Sequence, residues 1–215
     1  MSIPVHIYPL SRLVHAAAAE WENELRAIEE GKKYAFGYYL PLREAVVTYC
    51  RNDGKRRDQI VKQMTALALS MGGIRGAEAA NANDNAFRVF ETSFFPRITR
   101  FHESFLHTDF KAGCPFEGVT LLGLPHLRVT DDKGGSRYVH LHAAQWEPED
   151  LKAYLELLSV IVENRFKKHA DAIWCMDLKS GRDFKWQSRP RMRTKCVKAA
   201  RLYARLIKAM TQSEE

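Results

Sequence analysis

Apolar residues recur every three to four positions over most of this chain, and alternate with polar ones chiefly between residues 116 and 143. The first pattern marks helices with one buried face, the second strands with one buried face. Leu13, Val14, Ala17, Trp21, Leu25 and Ile28 predict a helix over 11–30, with Ser11 as its N-cap and Gly31 after its end. A loop carrying Tyr34, Phe36, Tyr38 and Tyr39 follows, and Pro41 opens a second helix that runs to Arg51. The turn Asn52-Asp53-Gly54 precedes a third helix over 56–71, with Ile60, Met64, Leu67 and Ala68 as its buried stripe. Residues 72–85, GGIRGAEAANANDN, hold few large apolar side chains and predict a flexible loop. Beyond it, 86–92 and 96–106 predict two helical pieces broken before Pro96, with Phe87, Phe90, Phe94, Phe95, Ile98, Phe101 and Phe105 as core.

The alternating stretch reads as a three-stranded antiparallel meander. Val119 to Leu122 is a short apolar strand, and Gly123 and Pro125 supply a bend. Leu127 and Val129 then alternate with His126, Arg128 and Thr130. Residues 131–135, DDKGG, form a turn whose glycines accept positive φ, and 138–142 return as the next strand. This register sets His126 opposite 140–142, and the two-residue repeat puts His140 and His142 on one face. An amphipathic helix over 147–168 follows, then a buried strand over 172–176, a turn at Ser180 and Gly181 and a partner strand over 184–186. Pro190 starts a long basic helix with Cys196, Val197, Ala200, Tyr203, Leu206 and Ile207 on its apolar side. The expected fold class is α/β: a helical N-terminal region over 1–85, and a core over 86–215 in which helices flank the meander.

At 215 residues and 46% hydrophobic, the chain can bury one substantial core. No run approaches the ~20 apolar residues of a membrane span, and the first ten residues do not resemble a secretion signal, so a cytoplasmic location without a membrane partner is expected. Cys50, Cys114, Cys175 and Cys196 are scattered, with no CxxC pair, and are expected to be reduced thiols. The net charge is +7, yet residues 1–177 hold 22 basic and 23 acidic residues, so the whole excess lies in 178–215. Such a cationic segment suits a polyanion. Arg189, Arg191, Arg193, Lys195, Lys198 and Arg205 are the expected phosphate contacts, against the plainer reading of a solvated helix face. Lys55, Arg56 and Arg57 form a smaller cluster, read as solvated.

From Pro96 onward the predicted order is helix, strand, strand, strand, helix, strand, with Gly123-Leu124-Pro125-His126 on the second element of the meander and His140-Leu141-His142 on the third. This resembles the core of the restriction-endonuclease-like, or PD-(D/E)XK, nuclease superfamily. The resemblance implies two carboxylates that hold a divalent metal and a lysine that acts on the attacking water. Here His126 stands where the first acid is expected, and His140 and His142 stand near the second acid and the lysine. Imidazoles do not make the oxygen-rich site that Mg²⁺ prefers. They suit Zn²⁺ or a similar divalent metal, with Glu103 or Glu149 as oxygen ligands, or else they are core histidines satisfied by their neighbours. A rival string, Asp177-Leu178-Lys179-Ser180-Gly181, resembles the motif of RecB-like nucleases. As a catalytic pair Asp177 and Lys179 would need Asp131 or Asp132 as partner; as structure, Lys179 to Gly181 is a hairpin turn. The leading expectation is a diverged, non-catalytic nuclease-fold protein that binds nucleic acid, DNA first, through its basic C-terminal segment. The alternatives are an active metal-dependent nuclease, and a regulatory module with a protein partner at the apolar surface around 34–39.

Overall fold

The computed structural model describes residues 3–16, 21, 38–106, 113–144 and 146–212. In chain order the elements are β1 (Ile3–His6), α1 (Ile7–Leu13), α2 (Leu40–Arg51), α3 (Arg57–Leu69) and α4 (Gly73–Val89). A π-helical turn (Phe90–Phe94) and a 3-10 turn (Phe95–Arg97) lead into β2 (Ile98–Ser104), β3 (Cys114–Phe116), β4 (Val119–Leu122), β5 (Leu127–Asp131) and β6 (Ser136–His142). The chain closes with α5 (Pro148–Phe166), β7 (Ile173–Asp177), β8 (Asp183–Lys185) and α6 (Pro190–Gln212).

The main sheet has five strands in the order β2-β5-β6-β7-β8. Its pairs are antiparallel except β6 with β7, which α5 joins by the crossover that a parallel pair requires. Strand alternation divides the residues between two cores. Leu127, Val129, Val139, Leu141, Trp174 and Met176 face α2 and α4 with Leu42, Val46, Phe87 and Phe90. Tyr138, Ile173 and Cys175 face the opposite way, toward α5, α6, α1 and a three-stranded sheet of order β1-β4-β3. Helices therefore cover both faces, and the fold is mixed α/β.

The helices α2, α3, α5 and α6, the β5–β6 pairing and the β7–β8 hairpin follow their predicted patterns, except that Leu67, expected in the buried stripe of α3, is exposed while Ile60, Met64 and Ala68 are buried. Four expectations are corrected. Of the expected loop 72–85, residues 73–85 are helix, because their alanines carry the highest helical propensity and their small side chains let α4 lie close on α3. Ala68, Ala79 and Ala80 form that contact, and a Cβ on Gly76 would meet the Leu69 carbonyl oxygen at 2.8 Å. Residues 98–104 are strand: two register shifts against β5 place Ile98, Phe101 and Ser104 inward at every third position, and this bulged period imitates a helix in the sequence. Val119–Leu122 is not the meander's first strand; β2 takes that place, while β4 pairs in parallel with β1, to which it is joined only through non-local contact. Ser11 is no N-cap, since α1 begins at Ile7 and the Ser11 hydroxyl donates to the Tyr8 carbonyl at 2.7 Å.

Residues 3–13 belong with the later core, since Ile7, Leu10 and Leu13 pack among Leu155, Leu158 and Ala200. A boundary after residue 85 falls inside α4. Of the helix predicted over 11–30, residues 17–20 and 22–30 lie outside the described residues, as do Gly31, Tyr34, Phe36 and His107. Among the described residues no helix is long and apolar enough to cross a membrane. All four cysteines are free and buried, and burial pushes the Cys50 thiol up to about 12.

Candidate functional site

The register of β5 and β6 assembles the histidines. Leu127 pairs with Val139, so His126, one step before β5, faces His140. The His126 backbone N–H donates to the Val139 carbonyl at 2.7 Å, and the Leu141 N–H donates to His126 Nδ1 at 2.8 Å. The His126 and His140 rings stack with centroids 4.9 Å apart and planes at 26°, and His142 continues the row 6.0 Å from His140. Tyr154 of α5 lies 4.6 Å from His140, Trp146 lies 5.4 Å from His142, and the Tyr8 ring lies 4.6 Å from that of Trp146. Asp177 is the β7 partner of His142. The sequence places the histidines together on one sheet face and closes that face with aromatic rings.

Burial sets the protonation of the row. It holds His126 and His140 well below the ordinary histidine range, and the nearby Arg43 guanidinium and the neighbouring imidazoles act in the same direction. His142 is lowered by burial too, against an opposing pull from Asp177. All three are neutral at neutral pH. Because His126 Nδ1 accepts a hydrogen bond, its proton sits on Nε2. His140 is 3% exposed, and neither of its ring nitrogens has a hydrogen-bond partner among the described residues.

The metal expectation meets this geometry poorly. Nearly parallel stacked rings direct their lone pairs side by side instead of toward one point, and His126 Nδ1 is already engaged. Glu103 pairs with Arg128 at 3.2 Å and Glu149 pairs with Lys152, so neither reaches the row. Among the described residues no three His, Cys, Asp or Glu side chains are grouped to hold one ion. The rival motif is also dispersed. The Asp177 carboxylate accepts the Lys179 N–H at 2.9 Å and the Ser180 hydroxyl at 2.6 Å, capping the β7–β8 turn, and Lys179 is exposed. Asp131 lies near Gly135 at the start of β6, whereas Asp177 lies beside His142 at its end; at ~3.3 Å per residue these are about 20 Å apart. Asp131 is occupied by Arg137 at 2.7 Å and Lys185 at 3.3 Å.

The basic segment forms a second candidate surface. Met192, Cys196, Ala199, Ala200 and Tyr203 bury one side of α6. Arg189, Arg191, Lys195, Lys198 and Arg205 are exposed, and among the described residues none of their side chains forms an ion pair. Arg201 pairs with Glu117 at 2.7 Å. Arg193 departs from the expected phosphate set: its guanidinium turns inward, bonding Glu156 through Nε and Ser159 and Glu163 through Nη2. Glu156, with 0% of its side chain exposed, is a functional candidate that the sequence reading missed. Its signal is a lone carboxylate inside the apolar run Tyr154-Leu155-Glu156-Leu157-Leu158. Compared with known proteins, the chain matches no family model, no curated protein and no solved structure.

Proposed function

We propose that this is a non-catalytic, diverged protein of the restriction-endonuclease-like fold that binds nucleic acid, DNA in the first instance, through the outward side of α6. The observation that carries this reading is the group of exposed cations that have no ion-pair partner among the described residues: Arg189, Arg191, Lys195, Lys198 and Arg205. From Arg191 to Arg205 the side chains recur at three- or four-residue steps, apart from the paired Arg201, over about 21 Å of helix at ~1.5 Å per residue. That length matches roughly six base pairs of duplex. Support for the scaffold comes from element order: β2, β5 and β6 form the meander, α5 crosses over, and β7 follows in parallel. In that alignment the positions of the metal-binding acids carry His126 and His140, which are neutral and stacked, and which lack the hard oxygen donors that magnesium-dependent hydrolysis uses.

Five phosphate contacts predict that log K falls against log salt with a slope of about −4.5 on duplex DNA. Replacing Arg191, Lys195 and Lys198 by Ala is expected to reduce that slope by roughly 2.7. Fluorescence anisotropy with labelled DNA and RNA across a salt series measures both. A flat salt response, or a triple variant that binds as tightly as the parent, refutes the role of α6.

A further inference from the structure

We infer that Glu156 is a positioning residue for the phosphate-binding side of α6: its buried carboxylate pins residues 186–193 to α5 and thereby sets the direction in which Arg189 and Arg191 project. This rests on the reading of α6 given above. The two oxygens divide the work. Oε1 accepts from the Ser188 hydroxyl at 2.7 Å and from Arg193 Nε, while Oε2 accepts from the Trp186 indole N–H at 3.2 Å and the Arg189 backbone N–H at 3.2 Å. All of these donors come from the connection between β8 and α6 and from the first turn of that helix. The Arg193 N–H donates in turn to the Arg189 carbonyl at 2.9 Å, closing that turn on the same anchor.

Helical geometry explains the consequence for the outward side. Residues two apart on an α-helix are rotated by about 200°. With Arg193 held inward against Glu156, Arg191 is turned away from α5 and is exposed. A buried ion pair is seldom more stable than apolar residues of similar volume, so stability alone accounts poorly for a carboxylate in this apolar stripe. What the pair supplies here is a fixed rotational phase and a fixed start for α6.

The test is Glu156→Gln, whose amide keeps the shape but offers only one accepting oxygen, measured in the full chain with labelled duplex DNA. The expected result is a salt slope smaller by roughly 1.8, and binding at about 100 mM salt weakened roughly ten- to a hundredfold, as the contacts of Arg189 and Arg191 are lost. In that background Arg189→Ala and Arg191→Ala cost little more, while Lys198→Ala keeps its full effect. A purely structural role lowers the urea midpoint and leaves the slope unchanged; a folded Glu156→Gln protein with the parental slope overturns the inference and leaves the proposed function standing. If the parent itself shows no salt-dependent binding, both fall together. Should Glu156→Gln fail to fold, Trp186→Phe and Ser188→Ala, each deleting one donor, decide the matter: a partial loss of slope supports the clamp, and parental slopes in both overturn it.

Discussion

Replacing Arg193 by Ala separates the two roles assigned to cations on α6. The change removes the guanidinium that faces Glu156 and leaves a carboxylate whose side chain is 0% exposed without its charge partner. Breaking a buried pair in this way costs about 3–5 kcal/mol. The Arg193 side chain is 26% exposed, so water screens part of the loss and the lower figure, about 3 kcal/mol, is expected. Against a total stability of about 5–15 kcal/mol this is a large share. At about 2–4 °C per kcal/mol for a chain of this length, the midpoint of thermal unfolding falls by roughly 6–12 °C. Urea unfolding followed by tryptophan fluorescence measures the same loss, and Arg191→Ala, on the outward side, should stay within about 0.5 kcal/mol of the parent. Replacing Glu156 and Arg193 together by Met should recover most of the loss, because apolar residues of similar volume fill the site without a desolvation cost. An Arg193→Ala protein as stable as Arg191→Ala would show that the Glu156 contact does not hold the helix, and the partition of α6 into inward and outward cations would fail.

Acid should weaken the fold through the histidine row. Since burial lowers His126 and His140 in the folded state, the unfolded chain binds protons first below the ordinary value of 6.5; stability present above that pH is lost as pH falls beneath it, at up to about 1.4 kcal/mol per pH unit for each ring. Urea midpoints followed from neutral pH down to about 5 should drop in the parent and drop less in His140→Phe, and equal slopes would contradict the assignment. Asp131 acts at lower pH: burial raises its pKa, but Arg137, the Gly135 N–H and Lys185 outweigh this and bring it to about 2 from 3.8. Its contribution, about 2 kcal/mol, is complete above about pH 4 and disappears as pH falls through about 2, so Asp131→Asn should flatten the acid limb of the stability curve. Asn83 is fully buried and bonds the Leu42 N–H, the Tyr38 carbonyl and the Ala79 carbonyl, so Asn83→Ala should cost about 2–3 kcal/mol in urea unfolding; a loss below about 0.5 kcal/mol would argue against that bridge.

Local chemistry alone determined much of this molecule. Helices such as α5 and α6 declare themselves by apolar spacing and an opening proline, and the DDKGG turn sets the β5–β6 register that brings His126 to His140. Those signals work because each is contained within a few neighbouring residues. Tertiary structure decided the rest. The bulges that turn 98–104 into a strand exist only against β5, the alanines of α4 are helical against α3, and β4 finds β1 across more than a hundred residues. The same holds for the cationic side of α6: its sequence shows a row of Arg and Lys, but which of them face water depends on Glu156, 37 residues before Arg193. A charge pattern along the chain counts cations, whereas their direction is set by the non-local partner that holds one of them inward.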